Sequence, residues 1–283
     1  MTNISSPDSD FPVAPRTPAQ VREHYEIEKE LADRLRAATK AERRGLYSVV
    51  YSERAERIPH HPLVIRAKNI NAQALDSSRQ LRLLKPFLSP TTVFLELGSG
   101  DCALSIRAAE YVKQVYAVDV TAGLIQEEHF PANVKLCLFD GFELPVGSSE
   151  VDLIYSRDVV EHLHPEDLKD QMSSAYQALR RGGRYVCVTP NRLSGPWDVS
   201  RQFDPVPTAF HLKEYTSYEL AKVFRTAGFS SVHFVLSYHG YHLTPMMPIG
   251  MIAFVERCLE RLPGRITRSA ANVLTAVKVI ATK

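Results

Sequence analysis

The stretch Val93–Ser105, VFLELGSGDCALS, decides the fold. An apolar run ends at Glu96-Leu97, and Gly98-Ser99-Gly100 then turn the chain sharply into a helix. Glycine suits such a turn because the backbone must double back and approach a ligand with no Cβ in the way. Gly98-x-Gly100-x-x-Ala103, with Asp119 nineteen residues beyond Gly100, satisfies the dinucleotide fingerprint. Alone, this motif leaves a nicotinamide dinucleotide and S-adenosylmethionine both open.

Around it, short apolar runs alternate with amphipathic segments from Pro90 onward, the pattern of a parallel sheet with right-handed helical crossovers. Strands are expected at Thr92–Leu97, Gln114–Asp119, Val134–Phe139, Val151–Tyr155, Arg184–Val188, Ser231–Leu236 and Val277–Ala281. Helices are expected at Ala103–Val112, Glu166–Arg180 and Ser217–Ala227, the last opening on the capping box Thr216-x-x-Glu219 and closing at Gly228. The fold class is α/β, Rossmann-like. Residues 1–20 read as a disordered leader without signal-peptide character, and 21–88 as a helical extension with charges of both signs on its solvated face. Residues 89–283 form the main domain. Within it, 241–274 is an insertion too long for a plain loop, able to cover a substrate, meet a membrane surface or complete the core.

Acids at three strand ends separate the two cofactors. Glu96 can hold the ammonium of an amino-acid-bearing nucleoside but repels a pyrophosphate, and Asp101 at the helix start repels it again. Asp119 can accept from both ribose hydroxyls, and Asp140 from an adenine amino group. A dinucleotide oxidoreductase or epimerase is the competing enzyme class, though no Tyr-x-x-x-Lys pair follows the fourth strand.

With ELGSGD, AVDV, FDGFELP, VDLIYSRDVVEHL, LRRGGRYVCVTPNR and FHLKEYTSYELAKVFRTAGF in this order, the chain resembles the class I S-adenosylmethionine-dependent methyltransferases. It looks most like the ubiquinone-biosynthesis O-methyltransferases and the methyltransferases of glycan and natural-product clusters. The resemblance spans about Pro90–Phe234 plus the terminal strand. It implies a seven-stranded sheet with one antiparallel strand and the cofactor across the carboxyl ends of the first strands. The residues expected to hold S-adenosylmethionine are Glu96, Gly98, Ser99, Gly100, Asp119, Val120, Asp140, Gly141 and Ser156. Cys102 stands where many members carry a third glycine.

Methyl transfer needs an oriented acceptor and something to take or acidify its proton. Asp158, Glu161 and His162 share one face if the chain turns helically after Tyr155, and His211 can converge on them. These four are the catalytic candidates. They are also a competent oxygen and nitrogen set for Mg2+ or another divalent ion. The same D-x-x-E-H with a distant His resembles the metal site of small-RNA 2′-O-methyltransferases. A metal-free His base and a structural, helix-capping role are the competing readings. Tyr47 and Tyr51 can close over the cofactor or simply pack, Trp197 can wall the acceptor or anchor its loop, and His60-His61 reads as a polar loop cluster.

Composition narrows the partners. Lys+Arg number 34 against 32 Asp+Glu, a formal +2, without the basic excess of phosphate-backbone binders, so nucleic acid is not the expected partner. Four scattered cysteines without a C-x-x-C pair suit a reducing, cytoplasmic setting. The longest apolar stretch, near Pro245–Val255, is too short to span a bilayer but leaves peripheral membrane contact open. The expected acceptor is a small molecule carrying a hydroxyl on a sugar, phenol or natural-product scaffold. A non-catalytic scaffold subunit and an RNA 2′-O-methyltransferase also stay open, and the sequence sets no protomer count.

Overall fold

The computed structural model describes residues 16–122, 124–125, 130–262, 267 and 274–283. Most of the expected leader, and residues 263–266 and 268–273 of the expected insertion, lie outside them. The first helix, α1 (Pro18–Ala37), begins inside the expected leader because Thr17 and Gln20 form a capping box and Pro18 presets the first turn. Helices α2 (Lys40–Arg57), α3 (Pro62–Ala67) and α4 (Ile70–Leu84) complete the N-terminal layer. Buried Val21, His24, Glu28, Leu31 and Leu35 recur at three- and four-residue steps along α1, which fixes its inward face.

The sheet then begins with β1 (Val93–Leu97), α5 (Ala103–Ala108), β2 (Gln114–Asp119), β3 (Val134–Leu138) and β4 (Val151–Arg157). It continues through α6 (Pro165–Ala178), β5 (Leu179–Pro190), α7 (Ser217–Thr226) and β6 (Ser231–Phe234). Beyond these lie a small hairpin of β7 (Ser237–Tyr238) and β8 (Tyr241–His242), then β9 (Met247–Pro248), α8 (Ile249–Glu260) and β10 (Ala276–Thr282). The order is β3-β2-β1-β4-β5-β10-β6-β9, with β1 to β5 parallel and β10 antiparallel to both neighbours. Among the described residues the sheet therefore has eight strands where seven are expected, the addition being the two-residue edge strand β9 beside β6.

All five residues of β1 are buried, as befits a parallel strand covered on both faces. One core layer joins the extension's Leu31, Leu35, Tyr47 and Val50 to residues of α6, α7 and α8; the other packs α4 and α5 on the opposite face. β1 pairs with β2 on one side and β4 on the other, so the strand order reverses there and leaves a crevice beyond their carboxyl ends. Arg43 of α2 locks the extension down. Its guanidinium grips the fully buried Asp167 of α6 with Nε at 2.6 Å and Nη2 at 2.8 Å, and Tyr47 donates its hydroxyl to the same carboxylate at 2.7 Å.

Candidate active site

A cavity of about 230 Å³ opens in that crevice, roofed by the helical extension. Its floor is the turn after β1. Gly98 has φ +77°, and a Cβ there would strike the Val159 side chain, so glycine is required by both conformation and space. The Gly98 and Ser99 amides donate to the Val118 carbonyl, tying the turn to β2. Cys102, where the resemblance would place a third glycine, takes the left-handed conformation glycine favours, with φ 60°, while its side chain is buried.

Asp119 closes the end of β2. One carboxylate oxygen accepts from Gly100 N at 2.8 Å and the other from Thr121 N at 3.1 Å. Each oxygen keeps a second lone pair for a ligand in the cavity, whose wall it forms. Glu96 also lines the wall, accepts from the Ser105 hydroxyl at 2.6 Å, and is pushed up to about 8 by burial, with the Asp101 and Asp119 charges adding to the shift. A cationic ligand group would reverse that and hold it ionised.

Of the expected cofactor residues, Glu96, Gly98, Ser99, Gly100, Asp119, Val120 and Gly141 line the cavity. Two do not. Asp140 turns outward, accepting from the Phe142 and Glu143 amides at 2.9 and 3.2 Å and from Arg44 at 2.7 Å, so its carboxylate caps a turn. Ser156 is fully buried in the sheet, receiving a hydrogen bond from the Tyr185 hydroxyl at 3.0 Å and facing Cys187 Sγ.

The expected helical turn after Tyr155 is absent. β4 runs on to Arg157, Asp158 sits at φ 55°, and a 3-10 turn covers Val160–His162. This splits the four catalytic candidates. Glu161, His162 and His211 converge, each offering a donor atom within 4.8 Å of the others. Asp158 instead lines the cavity beside Arg157, 3.4 Å from its Nε. Of the converged three, His162 lines the wall, and Glu161 and His211 stand behind it.

Their hydrogen bonds fix their orientation. His162 Nδ1 meets the Phe210 carbonyl at 2.9 Å, and His211 Nδ1 meets Glu214 Oε1 at 2.8 Å, which leaves Nε2 of each ring open. Glu161 Oε2 accepts from the Thr189 hydroxyl at 2.9 Å, while its buried Oε1 has no partner. Burial opposes charge on His211, but its bond to Glu214 and the nearby Asp198 and Glu161 raise it to about 10. Burial and then the Asp158 charge push Glu161 up to about 8. Burial and the neighbouring His211 hold His162 well below the usual imidazole range, so it is neutral. Two imidazoles anchored at Nδ1 by oxygen acceptors and one orphaned carboxylate oxygen make a donor set that fits a divalent ion, whose binding would displace the protons that His211 and Glu161 hold in its absence.

A second cluster, His24, Glu28 and His61, has donor atoms equally close but is filled by arginine. Arg54 Nε lies 2.9 Å from Glu28 and Nη2 2.7 Å from His61, which fits a buried ion-pair network and leaves no place for a metal. Arg54 also stacks over Phe210 at 4.7 Å, and Arg36 of α1 donates to the Thr208, Ala209 and His211 carbonyls. The extension therefore holds the loop that orients both histidines. Tyr47 and Tyr51 line the cavity, and Tyr51 meets the His162 ring edge-on at 6.1 Å. Trp197 is a loop anchor: its indole donates to Ser194 at 3.1 Å, away from the cavity wall. Sequence reasoning missed the wall residues Arg54, Arg66, Gln73 and Asp76, all on the extension. Only their helical spacing hinted at an inward face.

Residues 95–187 match the family model described as a methyltransferase domain. A 154-residue stretch is 32% identical to a probable S-adenosylmethionine-dependent methyltransferase of Mycolicibacterium smegmatis and 30% identical to one of Mycobacterium tuberculosis. It covers 54% of this chain and 57% and 54% of those proteins, so the chain spans little more than half the length of the curated relatives it matches. A solved S-adenosylmethionine-dependent methyltransferase from Archaeoglobus fulgidus shares the fold, with TM-score 0.51 at 19% identity over 75% of this chain and 94% of that one. Residues 95–187 thus match a methyltransferase domain, and the chain is similar in sequence to S-adenosylmethionine-dependent methyltransferases and shares their α/β fold.

Proposed function

We propose that the protein transfers the methyl group of S-adenosylmethionine to a hydroxyl oxygen of a small molecule, a sugar, phenol or natural-product scaffold. The observation that carries this reading is the convergence of Glu161, His162 and His211 behind one wall of the cofactor crevice. In it, Asp119 accepts from the ribose hydroxyls and Glu96 faces the amino-acid ammonium. The acceptor oxygen forms its bond to the methyl carbon as the carbon–sulfur pair returns to sulfur, leaving neutral adenosylhomocysteine. Asp158, on the wall, takes the hydroxyl proton.

Glu161 Oε1 and the open Nε2 atoms of His162 and His211 would hold a divalent ion, Mg2+ or one better suited to imidazole nitrogen. Bound there, it supplies Lewis acidity that acidifies a hydroxyl. The orphaned buried oxygen of Glu161 favours this arrangement, because an unsatisfied buried acceptor costs about 1–3 kcal/mol. A second reading, in which neutral His162 itself accepts the proton, is favoured by its place on the cavity wall. Near-neutral charge gives no support to an RNA acceptor.

The test is turnover of labelled S-adenosylmethionine against a panel of hydroxylated metabolites, with and without chelator, alongside metal analysis. Methylated product lost on chelation and restored by an added divalent ion, Mg2+ or a transition metal, is expected. Full turnover in chelator by metal-free protein would move the proton to His162. Methylation solely of amine acceptors would overturn the oxygen assignment.

A further inference from the structure

Helix α8 has two faces, and both are apolar. Ile249 and Ile252 turn inward with Glu256, which is 2% exposed. On the other side Met251, Phe254, Val255 and Cys258 form a single stripe at spacings of three, one and three. Met251 is 60% and Phe254 70% exposed, and Met246 and Leu262 extend the stripe at its two ends. A surface helix normally turns its polar side outward, so an outward face of this composition marks an interaction site.

The charges around the stripe say what covers it. Both acids of α8 are consumed by the body of the protein. Glu256 accepts from Ser217 N at 2.9 Å, Tyr218 N at 3.3 Å and Asn191 Nδ2 at 3.1 Å, and Glu260 is held by Arg192 at 2.6 Å. Arg257, exposed on the helix, lies over the Tyr218 ring, and the exposed Arg261 caps the carboxyl end of α8. Apolar side chains beside cations, on a helix whose own acids are both engaged, complement an anionic lipid surface, where acyl chains receive the stripe and headgroups the arginines. A symmetric pairing of two copies through this face would set like charges against each other.

We propose that α8 docks the protein on anionic lipid, lying in the interface with Met251, Phe254 and Val255 immersed and Arg257 and Arg261 at the headgroups. The helix lies on the bilayer and does not cross it: no helix among the described residues is long and apolar enough to span. Through Asn191, just past the end of β5, Glu256 ties this helix to the carboxyl edge of the sheet, where the cavity opens.

The full chain is sedimented with extruded phosphatidylcholine vesicles, with or without about 30% phosphatidylglycerol. Wild type should partition onto the anionic vesicles, less at high salt, and weakly onto the neutral ones. The double variant Met251→Ser/Phe254→Ser should lose partitioning by about tenfold or more, and Arg261→Glu by several-fold, with melting temperatures close to wild type. Absence of wild-type partitioning, or equal partitioning of a folded double variant, would overturn the proposal. So would a dimer in sedimentation velocity that the double variant abolishes while no vesicle binding occurs, which would assign the stripe to a second copy.

Discussion

Replacing Asp119 with alanine tests the proposed grip on the cofactor's ribose. The carboxylate is buried, each oxygen already accepts one backbone amide, and one lone pair per oxygen remains for a ribose hydroxyl. Hydrogen bonds to a charged group contribute about 1.5–3 kcal/mol each. Two of them lost, reduced by reorganisation of the emptied site, come to roughly 3 kcal/mol, and since 1.4 kcal/mol is tenfold, adenosylhomocysteine should bind about 100-fold more weakly. The same change orphans the Gly100 and Thr121 amides, so the variant should also melt lower, and titration belongs well below that transition. Isothermal calorimetry of wild type, Asp119→Ala and Asp119→Asn is the assay, with Asn expected between the other two because it keeps one acceptor oxygen. A folded Asp119→Ala variant binding adenosylhomocysteine within threefold of wild type would refute the ribose contact.

Three other outcomes follow from the geometry. Arg43→Met leaves the fully buried Asp167 without its ion-pair partner and should cost about 3–5 kcal/mol in denaturant unfolding; a loss under 1 kcal/mol would mean that the extension is not clamped through this pair. Glu161→Ala should lower turnover by about 10²-fold or more while leaving adenosylhomocysteine affinity unchanged, and a parallel loss of affinity would put Glu161 in the cofactor site. In metal-free protein, His211 is raised to about 10 and Glu96 and Glu161 to about 8. Each therefore contributes stability that is complete below its unfolded value and is lost as pH rises through its folded one. The melting temperature should fall between about pH 7 and pH 10, and Glu214→Gln should flatten the upper part of that decline; a rise over this range would contradict the assignment.

Local chemistry made much of this molecule legible. Gln114–Asp119 and the capping box at Thr216 and Glu219 fall where the sequence places them, because strand alternation and cap geometry are properties of a few adjacent residues. The failures are tertiary or concern competing local bonds. Spacing alone puts Asp158 on a helix, but aspartate tolerates the left-handed conformation, and one such residue at the end of a strand sends Glu161 inward and leaves Asp158 on the cavity wall. Asp140 sits in Asp-Gly-Phe-Glu, a sequence that caps its own turn as readily as it reaches a ligand. A two-residue edge strand such as Met247–Pro248 has no period to detect. Arg54, Arg66 and Asp76 enter the cavity only because the extension folds back over the sheet, a contact across a long stretch of chain that no spacing encodes.

The most direct test of the central claim is a thermal-shift comparison of adenosylhomocysteine with NAD+ and NADH on the wild-type chain. Glu96 and Asp101 beside the glycine turn, placed to meet an ammonium and to disfavour a pyrophosphate, predict a clear rise in melting temperature with the nucleoside thioether and none with either dinucleotide. Stabilisation by the dinucleotides with no response to adenosylhomocysteine would contradict it.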